Sequence, residues 1–438
     1  MRRIDLRADP SAPIPRPPAG AEPVEAVRAI MDAVRERGDA AVLEFTERFD
    51  GARLESLRVP EAEIKAAAAD APADLMAAMQ EAADRIRAFA EHQALTPWQA
   101  TIGGALLGET IQPLARAGIY VPGGRAAYPS SVLMSAVPAA VAGVPEVALC
   151  TPPAADGSVP APTLAAAHLA GVTEVYKVGG AQAVAAMAYG TESIPAVEVI
   201  VGPGNLYVAL AKREVSGTIA IDSVAGPSEI AIVAGPGQDS DIIAADLVAQ
   251  AEHGPLGAFP LITWDPDLPA RVEAALDAVV TRIGASRELL GILDDGCCAV
   301  LVADQAQGIE AAERFAPEHI ELLFEGAEEA ALTLRNAGAI FVGPWAPVSL
   351  GDYLAGSNHV LPTAASARFA SGLRTAHFQR ASALIVGNEA ALSAARGHLN
   401  VFATAERLPN HARAVEARFS GAGADGVQGA TEAQGELQ

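Results

Sequence analysis

The sequence predicts an α/β fold in which parallel sheets carry helices on both faces, and three observations point to it. From Arg116 onward, short apolar runs end in Gly and lead into helical patterns: one at 117–124, one at 174–180 running into Ala181-Gln182-Ala183, and one at 197–204 reaching Asn205. A second alternating series runs from Ile230 to Val342. Strand alternating with helix implies a parallel sheet with its crossovers on the faces. The 438 residues are enough for more than one domain and a large core.

Taken in order, the Pro-rich stretch 10–23 reads as a linker or arm. Val24, Val27, Met31 and Val34 then recur at helical spacing until Gly38, a C-terminal cap, and Asp39 starts the next helix. A longer helix sets Leu75, Met79, Ala82, Ile86 and Phe89 on one face as core, with His92 solvated at its end. In the strand-to-helix series after Arg116, Gly lets backbone approach a ligand while helix N-termini offer N–H groups to phosphate, although such turns need Gly for geometry alone. Strand 230–233 leads to a helix over 241–252 with Ser240 as N-cap, stopped by Gly254-Pro255. Strands at 259–264, 299–302 and 339–342 follow, with helices around 272–283 and up to Phe315 between them. A Gly-bounded polar loop spans 351–359, and beyond Gly372 the chain reads as mostly helical.

Composition excludes several classes. No apolar run approaches the roughly 18 residues that span a bilayer, and no signal pattern opens the chain, so a soluble cytoplasmic protein is expected. A net charge of −23 repels phosphate backbones and argues against nucleic acid as a partner. The three cysteines, Cys150, Cys297 and Cys298, make neither a disulfide framework nor a CxxC site, which suits a reducing compartment; Cys150 and Cys298 read as strand-end core residues. The only GxGxxG match, at 421–426, follows no strand and lies in a Gly/Ala/Glu-rich tail expected to be disordered, so it is discarded as a dinucleotide loop.

Chemistry concentrates at chain breaks. Glu318 and His319 sit adjacent just after Pro317, which ends the preceding helix; a carboxylate and an imidazole there can both carry protons, or can simply cap and pack. Gln250 and His253, three apart at the end of one helix, project from one face. His253 either complements the helix C-terminus or is half of a metal site. Of the other histidines, His168, His377 and His398 are assigned to structure, whereas His359 and His411 lie beside polar or Gly-rich breaks.

A series of motifs in fixed order carries a resemblance: Gly118-Ile119-Tyr120-Val121-Pro122-Gly123-Gly124, Val178-Gly179-Gly180-Ala181-Gln182-Ala183, Gly202-Pro203-Gly204-Asn205, Ala225-Gly226-Pro227-Ser228-Glu229, Gln250-Ala251-Glu252-His253-Gly254, Ala316-Pro317-Glu318-His319, Gly351-Asp352-Tyr353, Ser357-Asn358-His359-Val360-Leu361-Pro362-Thr363 and Glu406-Arg407-Leu408 with His411. From about Arg3 to Phe419 the sequence resembles histidinol dehydrogenase. The resemblance implies oxidation of L-histidinol to L-histidine in two NAD-dependent steps through a bound aldehyde, the last step of histidine biosynthesis. It implies Gln250, His253, Asp352 and His411 as ligands of Zn2+, and Ser228, His319 and Glu406 with those ligands as substrate contacts, His359 close by. Tyr120, Gln182 and Asn205 are implied as NAD contacts, and a homodimer is implied whose C-terminal extensions cross to complete each other's zinc sites. Arg374-Thr375-Ala376-His377 and the tail past Phe419 depart from the pattern, outside the matched chemistry.

With that resemblance the chain divides into an arm (1–22), a first αβ domain bearing zinc and catalytic residues (23–117 and 230–372), an NAD-binding αβ domain (118–229) and a helical dimerisation extension with its tail (373–438). The expected fold is thus two Rossmann-like parallel-sheet domains lacking the usual GxGxxG loop, with small N-terminal and helical C-terminal extensions. Hydride loss from an alcohol needs a base for the hydroxyl proton; an imidazole with a pKa near ~6.5 suits it, which selects His319. The aldehyde must then be hydrated, and Glu318 is the acid–base group for that water. A paralogous zinc and NAD dehydrogenase of another small polar alcohol is the alternative, disfavoured by Ser228 and Glu406. A non-catalytic nucleotide-binding or zinc-structured module would be expected to lack Glu318 or His319, and both are present.

Overall fold

The structure, a computed structural model, describes residues 1–18, 22–123 and 126–420. Strand β1 (Arg2–Asp5) opens the chain, followed by helices α1 (Val24–Arg37), α2 (Asp39–Asp50), α3 (Glu61–Asp70) and α4 (Ala73–Glu91). Gly38 ends α1 with its N–H on the Val34 carbonyl, at φ 55° where glycine is favoured. Strands β2 (Trp98–Ile102) and β3 (Ala105–Pro113) come next. The first alternating series is β4 (Arg116–Tyr120), α5 (Pro129–Ala142), β5 (Glu146–Thr151), α6 (Ala161–Leu169), β6 (Glu174–Lys177), α7 (Gly180–Tyr189), β7 (Val199–Val201), α8 (Leu206–Val215) and β8 (Ala220–Ile221). The second is β9 (Ile230–Ala234), α9 (Ser240–Ala251), β10 (Phe259–Thr263), α10 (Leu268–Ile283), α11 (Arg287–Gly296), β11 (Cys297–Leu301), α12 (Gln305–Phe315), β12 (His319–Leu323), α13 (Ala327–Ala331), β13 (Ala339–Val342) and α14 (Val348–Tyr353). Strand β14 (Gln379–Val386) and helices α15 (Glu389–Ala405) and α16 (Pro409–Glu416) end the described chain.

Two parallel sheets share one topology. The first series pairs in the order β6-β5-β4-β7-β8 and the second in the order β1-β11-β10-β9-β12-β13. In each, the first three strands of the series run outward from the centre one way and the last two the other way. Alternate side chains of a strand enter opposite faces: Ile119, Leu149, Val199 and Val201 pack under α3 to α6, whereas Tyr120, Cys150 and Ile200 pack under α1, α2, α7 and α8. Ile230 and Ile232 likewise oppose Ala231 and Val233 across the second sheet.

Several boundaries differ from the sequence expectation. Helices α1 to α4 were expected with residues 230–372, but Val27, Ile30, Phe45, Ile64, Met79 and Ile86 are buried against the five-stranded sheet. The arm is not free: β1 pairs with β11, and Leu6 is fully buried. Phe89 is 45% exposed, because α4 buries a narrower stripe ending at Ile86 and Ala90. Asp239, not Ser240, caps α9, its carboxylate accepting from the Asp241 N–H at 2.8 Å. Part of the 351–359 loop belongs to α14, and residues beyond Gly372 include β14.

The described residues fall into two compact units, those within 1–94 and 113–380 and those within 95–112 and 381–438. In the smaller one, Gly103 and Gly104, both at positive φ, turn β2 into antiparallel β3. Asn388 caps α15 and also donates to the Gly104 carbonyl at 2.8 Å. Among the described residues no helix is long and apolar enough to cross a membrane.

Candidate active site

A ligand of an open parallel sheet sits beyond the carboxyl ends of its strands, where the order reverses. In the five-stranded sheet that point lies between β4 and β7. Tyr120 ends β4, buried, with its hydroxyl accepting from the Gly180 N–H at 3.1 Å and its pKa pushed up to about 12 by burial. Gln182 is buried in the first turn of α7, and the exposed Asn205 caps α8, accepting from Tyr207 and Val208 N–H groups at 3.0 and 3.2 Å. Gly202 bends the chain after β7 at φ 109°, and a Cβ there would fall 2.1 Å from the Tyr120 carbonyl oxygen. Lys212 and Asp222, a buried ion pair, grip this turn: the ammonium donates to the Gly202 carbonyl at 3.0 Å and the carboxylate accepts the Gly202 N–H at 2.7 Å. Glycine backbone, a capped helix start and a buried phenol form a cradle suited to a dinucleotide held without a GxGxxG loop. The 421–426 match lies outside the described residues.

The six-stranded sheet differs at the corresponding point. Trp264 and Phe324 pack edge to face across its carboxyl ends, 5.5 Å between ring centres, and a Cβ on Gly235 would touch both. Its polar residues gather instead at the amino ends. A crossover helix runs back against its strand, so α9 delivers Gln250 and His253 to the edge where Ser228-Glu229 enters β9 and Glu318-His319 enters β12.

His319 and Ile230 are paired in register, which sets the imidazole beside the Glu229 main chain. The Glu229 carbonyl accepts from the His319 N–H at 3.2 Å and faces His319 Nδ1 at 2.9 Å. A carbonyl only accepts, so Nδ1 carries the proton and Nε2 of the neutral ring keeps a free lone pair. Burial pushes this imidazole down to about 4, against the opposing pull of the Asp352 charge and below the ~6.5 expected from sequence, so the ring is neutral at neutral pH but a weaker base than expected. Glu318, equally buried, accepts the Glu229 N–H at 2.9 Å and lies within hydrogen-bond reach of Ser228. Burial holds its carboxyl well above the usual range, with the charges of Glu229 and Asp352 adding to the effect.

Gln250 is 2% exposed, and its amide nitrogen finds no hydrogen-bond partner among the described residues. His253, in the turn after α9, brings Nε2 to 4.0 Å from Oδ2 of Asp352, which closes α14. Zinc bonds such atoms at roughly 2.0–2.2 Å, so one ion reaches both. Imidazole and carboxylate are donors that zinc accepts, and the Gln250 amide would add its oxygen, not the unpartnered nitrogen. His359 uses both ring nitrogens, Nδ1 toward the Asp352 carbonyl at 2.9 Å and Nε2 toward Ser131 Oγ at 3.2 Å, and so braces the Asp352 main chain. Glu406, which caps α15, and His411, in the first turn of α16, are exposed and belong to the smaller unit. Among the described residues no three His, Cys, Asp or Glu cluster as a metal site.

Residues 18–419 match the family profile of histidinol dehydrogenase. The chain belongs to the histidinol dehydrogenase family. A histidinol dehydrogenase from Parasynechococcus marenigrum is 48% identical over 398 residues, 90% of each chain, and one from Geobacillus kaustophilus is 46% identical over 398 residues, 90% of this chain and 93% of that one. The crystal structure of histidinol dehydrogenase from Elizabethkingia anophelis superposes with a TM-score of 0.91 at 32% identity, covering 96% of this chain and 98% of that one. The protein is therefore an oxidoreductase of α/β fold, as its histidinol dehydrogenase relatives are.

Two polar features of the chain escaped the sequence reading. Arg16 forms an ion pair with the buried Glu229, and Glu321 of β12 lies buried against Asp246 of α9. The only local signals were an Arg between two prolines and acids placed inside apolar runs.

Proposed function

We propose that the protein oxidises L-histidinol to L-histidine through bound L-histidinal, as the last step of histidine biosynthesis in the cytoplasm. One observation carries the mechanism: the Glu229 carbonyl fixes the proton of His319 on Nδ1, which leaves Nε2 as the base. Tyr120, Gln182 and Asn205 would hold NAD, which would supply a hydride acceptor for each of two oxidations, and zinc, redox-inert, would supply a Lewis-acid anchor for the substrate. Gln250, His253 and Asp352, with His411 from a second copy, would hold the metal; Ser228 and Glu406 would contact substrate beside His319 and His359. The exposed apolar side chains Ile385, Val401 and Phe402 support burial of the smaller unit in a homodimer with shared sites.

His319 Nε2 takes the hydroxyl proton as the first C–H bond is lost. Glu318, its carboxyl held by burial well above the usual range, then takes a proton from the water that adds to the aldehyde, while His319 gives its proton to the aldehyde oxygen. In the second oxidation a diol hydroxyl gives its proton back to His319, and Glu318 passes the proton taken from water to solvent. Each histidinol is expected to yield two NADH and one histidine, and chelation is expected to abolish activity while far-UV circular dichroism changes little. Absence of histidinol turnover, or one NADH with free aldehyde accumulating, overturns this reading.

A further inference from the structure

We propose that Arg16 is a positioning residue for the Glu318-His319 pair, acting through the main chain of Glu229. The inference rests on the reading that those two residues do the chemistry. Arg16 comes from the Pro-rich arm, 213 residues before its partner, and its guanidinium is forked across both Glu229 carboxylate oxygens, the Nη2 contact at 3.2 Å. Nη2 also donates to the Phe315 carbonyl at 2.5 Å, and the guanidinium lies 3.9 Å above the Phe315 ring. One planar cation thus ties the entry of β9 to the end of α12, three residues ahead of Glu318.

What it holds still is the part of Glu229 that both catalytic side chains use. The Glu229 N–H is the donor to Glu318, and the Glu229 carbonyl is the acceptor that sets the His319 tautomer. Glu229 itself is 3% exposed, so without the guanidinium its carboxylate would be a buried charge with no counter-charge, left to the main-chain N–H groups of Glu318 and Ala364. Ala316, at φ 49°, leaves the turn between Phe315 and Glu318 in a conformation that L-residues hold only when their surroundings impose it. Lys could keep the charge, but a point ammonium cannot fork on Glu229 and stack on Phe315 together.

The test uses full-length Arg16→Met, Arg16→Lys and Glu229→Gln. Histidinol turnover is measured, and in the absence of substrate the ring ¹⁵N signals of His319 are read, assigned by their loss in His319→Asn. Wild type is expected to show a single Nδ1–H tautomer. Arg16→Met and Glu229→Gln are expected to show a tautomer mixture and a kcat lowered by roughly 10²-fold, as for a displacement of about 1 Å, with little change in KM for histidinol. Arg16→Lys is expected to fall between. Unchanged ring signals and kcat in folded Arg16→Met overturn the proposal; if that variant does not fold, wild-type signals and kcat in both Arg16→Lys and Glu229→Gln do so. A wild type that forms the single tautomer yet fails to turn over histidinol sinks the functional reading instead, and the ring signals of the variants still decide the role of Arg16.

Discussion

Glu229 works through three different groups: its carbonyl orients His319, its N–H holds Glu318, and its carboxylate answers Arg16. Since the base and the hydration group receive separate main-chain contacts, their losses should separate. Glu318→Gln is expected to slow oxidation of histidinal far more than of histidinol, whereas His319→Asn slows both, each by roughly 10²–10⁴-fold where it acts. Equal losses in the two half-reactions for Glu318→Gln would refute the division. At this scale the sequence was legible wherever residues sit together at a chain break, as Glu318-His319 and Gln250 with His253 do. Arg16 was not legible, because an ion pair across 213 positions leaves no local period. Cys150 and Cys298 were read correctly as core, Cys297 is buried as well, and burial pushes Cys297 up to about 12 and Cys298 to about 11. Thiol reagents at pH 8 are accordingly expected to react only after unfolding, and rapid labelling of the native protein would contradict this.

Strand β12 shows how one element serves both chemistry and stability, because its period of two points Glu321 to the same face as His319. Glu321 is 2% exposed, beside Asp246 on the helix that carries Gln250, and burial followed by the Asp246 charge raises its pKa; burial raises that of Asp246 as well. Carboxyls whose folded pKa exceeds the unfolded value of roughly 4 stabilise fully below that value and lose their contribution as pH rises through the folded one. The melting temperature is therefore expected to decline from mildly acidic toward alkaline pH, and Glu321→Gln, which keeps the shape without the charge, should flatten that decline. An identical pH slope in both proteins would exclude the pair as its source. Elements with strong apolar runs, β9, β10 and β13, were legible to within a residue or so. The hairpin at Gly103-Gly104 and the edge strand β1 were not: their side chains are largely exposed, so no run of buried residues marks them.

For the whole molecule, the repeated strand order was legible as alternation, but the partner of α1 to α4 was not. Amphipathic helices announce that they pack, and only the tertiary fold decides against which sheet; Val27, Phe45 and Ile86 chose the nearer five-stranded one. The same limit applies to His411, which lies 158 positions after His253 (411 − 253) in a separate compact unit. If a second copy supplies it, His253→Asn and His411→Asn, each inactive, should complement when unfolded and refolded together. A mixed dimer then has one site with both lesions and one with neither. Random assortment makes half the dimers mixed and leaves half of their sites intact, so activity should return to roughly a quarter of wild type. If His411 serves its own chain, every site keeps one lesion and nothing returns. Differential tags on the two variants report whether mixed dimers formed; tagged mixed dimers as inactive as their parents would rule out the crossed site.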